Sequence, residues 1–327
     1  TAFGIPVIFA PGRNAAAVAD LAVAFMINLA RKLPAASQFL QQEDCTAGNM
    51  GKMGQAFSQF QGHEMWHKSI GLVGLGAVGR AVAQRLAGFE VEILVADPFI
   101  TPEQAALAGC RLTDLNTLLQ RSDFVSLHAA VTSENKAMIG EAQFSQMKPG
   151  AFFINTARAA LIDEQALVDA LENGSIAGAG LDTFAEEPPG FDHPLVQHPN
   201  VMCTPHSAGN TVEVAHHQGE SVSAALLRLL KGEKPHNVLN PEVLDRFDWH
   251  GEKPEPDDTE IARLSRNSGP AVSDLQRDAN TPRTETRQQQ PAATAAGIAA
   301  PVEIVNKMRA ILDNFCAGMT ADTSRLI

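Results

Sequence analysis

No two of the chain's four cysteines, Cys45, Cys110, Cys203 and Cys316, are spaced as Cys-x-x-Cys. Neither a disulfide framework nor a zinc knuckle is indicated, and the reducing cytoplasm is the expected compartment. No apolar run approaches the length that crosses a bilayer, so a membrane protein is not expected. Positive charge is scarce: 25 Lys and Arg stand against 37 Asp and Glu, a formal net charge of -12. That balance argues against general affinity for nucleic acid, whose phosphates require a basic surface. An initiating Met is also missing. The text opens at Thr1 and runs through Gly4-Ile5-Pro6-Val7-Ile8-Phe9 as if in mid-domain, so a fragment is expected, and no secretory or transit pattern is visible.

What remains is the composition of an α/β protein, 45% hydrophobic and 19% charged with 25 Gly, in 327 residues that can hold two domains. Residues Asn14 to Leu33 predict a mostly buried helix, with Asn14 as N-cap and Pro34 as its stop. Ala35 to His67 reads as an irregular arm. Strand Ile70 to Val73, a glycine turn, helix Ala77 to Gly88 and strand Val91 to Ala96 then form a βαβ unit. Alternation continues through helix Asp114 to Gln120, strand Phe124 to Leu127, helix Glu141 to Met147 and strand Ala151 to Ile154. Helix Asp163 to Leu171, closed by Asn173-Gly174, and strand Ile176 to Leu181 complete it. Such alternation predicts a doubly wound parallel sheet of the Rossmann type. Asn210 to Leu230 reads as a long helix and Asn237 to Pro241 as a return strand or extended segment. From Glu252 to Pro291 large apolar residues are too few to offset chain entropy, and Pro301 to Phe315 has the spacing of one amphipathic helix.

In the turn Gly74-Leu75-Gly76-Ala77-Val78-Gly79 each glycine has a separate task. Gly74 makes the tight turn, Gly76 admits a pyrophosphate, and Gly79 lets helix and strand pack, with the Ala77 and Val78 amides at a helix N-terminus left to hold the diphosphate. Asp97, ending the second strand, can accept hydrogen bonds from adenosine ribose hydroxyls and would repel a 2′-phosphate, which favours NAD over NADP.

Downstream stand Arg158 in Asn155-Thr156-Ala157-Arg158, Glu187 in Glu186-Glu187-Pro188 and His206 in Thr204-Pro205-His206. Reduction of a 2-oxo acid needs a hydride donor, a proton donor at the carbonyl oxygen and a cation for the carboxylate. An imidazole suits the proton, a carboxylate on its other nitrogen fixes the tautomer and favours the protonated form, and a guanidinium fork matches the carboxylate. Spacing alone does not bring the three together; singly, each reads as an ordinary surface or loop residue.

The joint pattern is more specific. The glycine turn with Asp97, Ile154 to Arg158, Gly180-Leu181-Asp182-Thr183-Phe184-Ala185-Glu186-Glu187-Pro188, and Asn200 to Gly209 resemble the D-isomer-specific 2-hydroxyacid dehydrogenases. The likeness is strongest to the phosphoglycerate dehydrogenase and hydroxypyruvate or glyoxylate reductase group and covers about the first three quarters of the chain. It implies Arg158 as substrate-binding residue, Glu187 and His206 as acid-base pair, Asp182 at the nicotinamide carboxamide, and Thr156 and Ala157 as backbone contacts to NAD. It further implies His128, Thr132 and Gly209 along the cofactor, and a homodimer to which the arm before Ser69 contributes. Ala159 stands where that family usually has Gly, and only the last piece of a substrate domain is expected. An isolated chain of this kind is expected to retain the NAD fold and to turn over poorly. The expected organisation is 1–12 as substrate-domain remnant, 13–209 as NAD-binding domain, 210–250 as return helix and segment, and 251–327 as low-complexity tail with one helix at about 301–315.

Other signals weigh less. His63-Glu64-Met65-Trp66-His67 spells a zinc-protease string, but Gly62 and the strand at Ser69 leave little room for the helix it needs, so no metal is expected. His216-His217 reads as a surface pair. Val305 to Phe315 has a short resemblance to the opening helix of IclR-type regulators, for which an ordinary amphipathic helix suffices. A nucleotide-sensing corepressor is the rival from another class; the acid-base pair favours catalysis. Formate dehydrogenases are disfavoured because they pair the His with Gln where Glu187 stands.

Overall fold

The computed structural model describes residues 4–245 and 247. The tail from 251, including the helix expected at 301–315, lies outside the described residues.

The first helix, α1 (Ala15–Arg31), buries Val18, Ala19, Ala22, Val23, Phe25, Met26 and Ala30, a stripe at helical spacing. Asn14 precedes it without a side-chain cap, and Lys32 ends it in the left-handed region at φ 53°. Pro34, expected as a stop, instead falls in the first turn of α2 (Leu33–Phe39), where a missing N–H costs nothing. The expected irregular arm is corrected further by α3 (Met50–Gln59), capped by the Asn49 side chain accepting from Lys52 N. None of the residues of α3 is buried.

The core alternates as expected: β1 (Ser69–Val73), α4 (Ala77–Leu86), β2 (Glu92–Ala96), α5 (Pro102–Leu107), β3 (Arg111–Leu112), α6 (Leu115–Arg121), β4 (Phe124–Leu127) and α7 (Glu141–Phe144). It continues with β5 (Phe152–Asn155), α8 (Glu164–Glu172), β6 (Gly178–Leu181), α9 (Pro194–Gln197), β7 (Val201–Cys203) and the long α10 (Val212–Leu230). α5, β3, α9 and β7 are additional to the elements expected from sequence. A signal for α5 was present, since Thr101 and Gln104 form a reciprocal capping box ahead of Pro102.

Among the described residues seven strands form one sheet, in the order β3-β2-β1-β4-β5-β6-β7. Every pairing is parallel, for example Ile70 against Phe124 and Phe124 against Phe152. Both faces are covered. One carries a cluster of Leu118, Phe144, Phe153 and Leu167; the other carries Phe25, Met26, Leu72 and Leu86 from α1, β1 and α4. Chain order reverses between β1 and β4, and a crevice beyond the carboxyl ends of the strands at such a point is where this architecture takes ligands.

Outside the sheet, residues 7–9 and 237–239 pair antiparallel, with Phe9 N donating to Asn237 O at 3.0 Å and Leu239 N to Val7 O at 2.9 Å. The Asn240 side chain closes this ribbon, accepting from Val7 N at 2.7 Å and donating to Ile5 O at 2.9 Å. The extended segment expected after α10 is therefore one side of a ribbon with the beginning of the chain. Among the described residues no helix is long and apolar enough to cross a membrane.

Candidate active site

At the β1–α4 turn Gly74 has φ 95°, and a methyl group there would lie 2.9 Å from Ala129 N. A methyl on Gly79 would meet Gly74 O at 2.3 Å, so helix and strand approach as closely as backbone permits. Gly76 differs, since a methyl group there has nothing within 4 Å among the described residues. Helix α4 starts directly after it without a side-chain cap, and the Ala77 and Val78 amides of its first turn have no acceptor among the described residues. At the end of β2 the Asp97 carboxylate is fixed by two backbone amides, Leu75 N at 2.8 Å and Phe99 N at 2.9 Å, one on each oxygen. Each oxygen keeps lone-pair capacity.

Beyond the strand ends lies a cavity of about 1320 Å³. Arg158, Glu187 and His206 line it together, despite their separation in sequence. Val78, His128, Thr156, Ala157, Asp182 and Gly209 also border it. Of the remaining candidates, Gly74, Gly76, Ala77, Gly79 and Asp97 sit at the glycine turn and the end of β2, outside this lining. Thr132 is outside it as well, its hydroxyl accepting from Glu134 N at 3.2 Å and its amide donating to Asn135 Oδ1 at 2.7 Å in a surface turn.

His206 Nδ1 lies 2.7 Å from Glu187 Oε2, and Glu187 Oε1 accepts from Phe184 N at 3.1 Å. The His206 hydrogen bond, the Phe184 amide and the attraction of His206 and Arg158 hold the Glu187 carboxyl below the usual carboxylate range. An ionised Glu187 only accepts, so Nδ1 carries the hydrogen and Nε2 is left for a reactant. Arg158 donates Nη1 to the Ala157 carbonyl at 2.6 Å and has no ion pair among the described residues. That leaves the guanidinium available for an anion.

Asp182 organises the loop that carries His206. It is 1% exposed, accepting Thr204 Oγ1 at 2.5 Å and Ser207 N at 2.8 Å on Oδ1, and Ala208 N at 3.0 Å on Oδ2. His128 is half-buried as a residue, yet both ring nitrogens are shut off from solvent with no hydrogen-bond partner among the described residues, and burial pushes its pKa down to about 4. Its ring is neutral at pH 7. The string at His63–His67 lies between α3 and β1 in turn and coil, not on a helix.

The lining also holds residues that sequence reasoning did not single out, Arg13, Asn14 and Glu164 among them. Arg13 and Asn14 arrive with the start of α1, which packs across β5 and β6. Glu164 follows the Asp163 cap of α8, and its partners lie some twenty residues downstream, where no local spacing points to them.

A family model described as the NAD binding domain of D-isomer specific 2-hydroxyacid dehydrogenases matches residues 23–208. The chain is 36% identical over 246 residues to a D-3-phosphoglycerate dehydrogenase of Archaeoglobus fulgidus, covering 75% of this chain and 45% of the relative. It is 39% identical over 241 residues to a glyoxylate reductase of Thermococcus litoralis, covering 74% and 72% of the two chains. The chain thus spans under half the length of that phosphoglycerate dehydrogenase. Among solved structures, a D-lactate dehydrogenase with NAD+ from Lactobacillus jensenii superposes with a TM-score of 0.62 at 32% identity over 72% of each chain.

Proposed function

The chain belongs to the D-isomer specific 2-hydroxyacid dehydrogenase family, and we propose that it transfers a hydride between NAD and C2 of a small D-2-hydroxy acid or the matching 2-oxo acid. The preferred substrate type is that of phosphoglycerate dehydrogenases, with hydroxypyruvate or glyoxylate reduction as the alternative; relatives of both kinds carry similar identity. The observation that carries this reading is the His206–Glu187 pair at 2.7 Å on one cavity with Arg158.

The residues present suit NAD. The open face of Gly76 and the uncapped start of α4 leave room and donors for a diphosphate, with the Ala77 and Val78 amides as its contacts. Asp97 offers its spare lone pairs to ribose hydroxyls, and its charge opposes a 2′-phosphate. Thr156, Ala157 and Gly209, with His128, border the path toward the reacting centre, and Asp182 is assigned to the carboxamide end. Thr132 is assigned to the outer edge of the cofactor site. NADH supplies the hydride for C2.

The chain's own groups do the rest. Arg158 clamps the substrate carboxylate and draws electron density from the carbonyl. His206 delivers a proton from Nε2 to the carbonyl oxygen, and Glu187, bound to Nδ1, steadies the ring while it is charged. In the oxidative direction the neutral imidazole takes the hydroxyl proton at the same atom. A dimer is part of the proposal, with a cytoplasmic setting. Its support is α3, where Met50, Met53 and Phe57 are 75%, 57% and 89% exposed on a helix within the arm. The test is NADH-dependent reduction of a panel of 2-oxo acids. An NAD-sensing corepressor, the rival reading, would bind NADH and reduce none of them.

A further inference from the structure

The turn from Phe184 to Glu187 is held by two carboxylates on consecutive amides. Phe184 N donates to Glu187 Oε1 at 3.1 Å, and Ala185 N donates to Glu164 Oε1 at 2.7 Å. Glu164 belongs to another element, standing at the first position of α8 after the Asp163 cap, where a negative charge is favoured by the helix dipole. Its second oxygen, Oε2, lies 3.6 Å from His193 Nε2. His193 Nδ1 accepts from Leu195 N at 3.3 Å, so the ring hydrogen sits on Nε2, toward Glu164. The same imidazole packs edge-on against Phe184, with ring centroids 5.6 Å apart. The Glu164 side chain is only 20% exposed and borders the cavity.

Nothing else described bonds the Ala185 amide, and Ala185 is two residues from Glu187. We propose that Glu164 is a positioning residue for the Glu187–His206 pair: anchored on α8, its carboxylate fixes the Ala185 amide and so sets where Glu187 meets the imidazole. Glu164 acts through Ala185 and makes no contact with the reacting atoms. The groups that face Glu187 are His206 and Arg158, and the charged partner of Glu164 is His193. What the bond requires of residue 164 is an acceptor of the right reach. A carboxamide oxygen supplies that as well as a carboxylate does, so Glu164→Gln retains the arrangement and Glu164→Ala releases it.

The inference rests on the reading of Glu187 and His206 as the proton-handling pair, and its test is built to fail separately from that reading. The full chain, without cofactor or substrate, is compared as wild type, Glu164→Ala and Glu164→Gln. Carboxyl-carbon NMR follows the Glu187 titration, and amide hydrogen exchange follows Phe184 and Ala185. Glu164→Ala is expected to raise the Glu187 titration toward the ordinary carboxylate range and to speed exchange at the two amides about tenfold, while Glu164→Gln stays close to wild type. If Glu164→Ala does not fold, Glu164→Asp, one methylene too short to reach Ala185, carries the same expectation. Unchanged titration and exchange in the released variant overturn the proposal, and so does an equal disturbance in Glu164→Gln. A wild-type chain that reduces no 2-oxo acid would sink the catalytic reading and leave these NMR outcomes as they stand.

Discussion

The main-chain carbonyl of Asp182 accepts the His206 amide at 2.9 Å, while the Asp182 carboxylate accepts the two amides that follow, Ser207 and Ala208. His206 is held in the left-handed region at φ 51°, a conformation that a residue with a side chain rarely adopts and that costs about 1 to 3 kcal/mol. One buried acid thus imposes the backbone on which the imidazole is presented. Replacing it by Ala leaves the Ser207 and Ala208 amides and the Thr204 hydroxyl without an acceptor, and about 2 to 4 kcal/mol of stability is expected to be lost. Thr204→Val, which removes one of those donors, should cost about 1 kcal/mol. Denaturant melts of the two variants check the ranking.

The glycine turn separates folding from binding. Gly76→Ala meets open space at an ordinary backbone angle, so stability should change by less than about 0.5 kcal/mol. If that face admits a diphosphate, NADH affinity should nevertheless fall about tenfold or more. Gly79→Ala forces a methyl against the Gly74 carbonyl and should destabilise the fold itself by more than about 2 kcal/mol. NADH fluorescence titrations beside thermal melts distinguish the two variants.

The proposed place of Asp97 at the ribose makes a prediction about cofactor choice. Removing its charge in Asp97→Asn should narrow the preference for NADH over NADPH by about tenfold, since a carboxylate near a 2′-phosphate repels by about 1 to 4 kcal/mol according to screening. The two dissociation constants, measured side by side, test it. An unaltered ratio would move the ribose contact elsewhere.

His128 makes a pH prediction. Its folded value, about 4, lies below the ordinary 6.5, so the unfolded chain binds the proton first. Stability from this group is complete above about pH 6.5, declines as the pH falls toward about 4, and is level below that. The span is on the order of 3 kcal/mol, and His128→Leu should flatten it. Urea midpoints at several pH values supply the measurement.

Much of the architecture was legible because the signals were local. Phe124 to Leu127 was bounded from its apolar run alone, and the ends of β1, β2 and α8 fell within a few residues of their expected places. The arm was misread because Gly51, Gly54 and the glutamines around Met50, Met53 and Phe57 dilute a helical pattern that the Asn49 cap nevertheless starts. β7 was passed over because Val201 to Cys203 is only three residues long and pairs on one side only, with β6. The gathering of Arg158, Glu187 and His206 on one cavity followed from family pattern, not from spacing. The contacts of Glu164 and the clamp made by the Asp182 carboxylate have no local signal, because Glu164 meets Ala185 21 residues on and Asp182 meets Thr204, Ser207 and Ala208 22, 25 and 26 residues on.

The most direct test of the central claim follows one isotope. The chain is mixed in excess with 2-oxo acid and NADH deuterated at the transferable position of the nicotinamide, and the product is examined by mass spectrometry and chiral chromatography. The account predicts deuterium at C2 of a D-2-hydroxy acid, reduced by about a hundredfold or more in His206→Asn while NADH still binds. Tight NADH binding with no label in any 2-hydroxy acid, or label transfer that His206→Asn leaves intact, would contradict it.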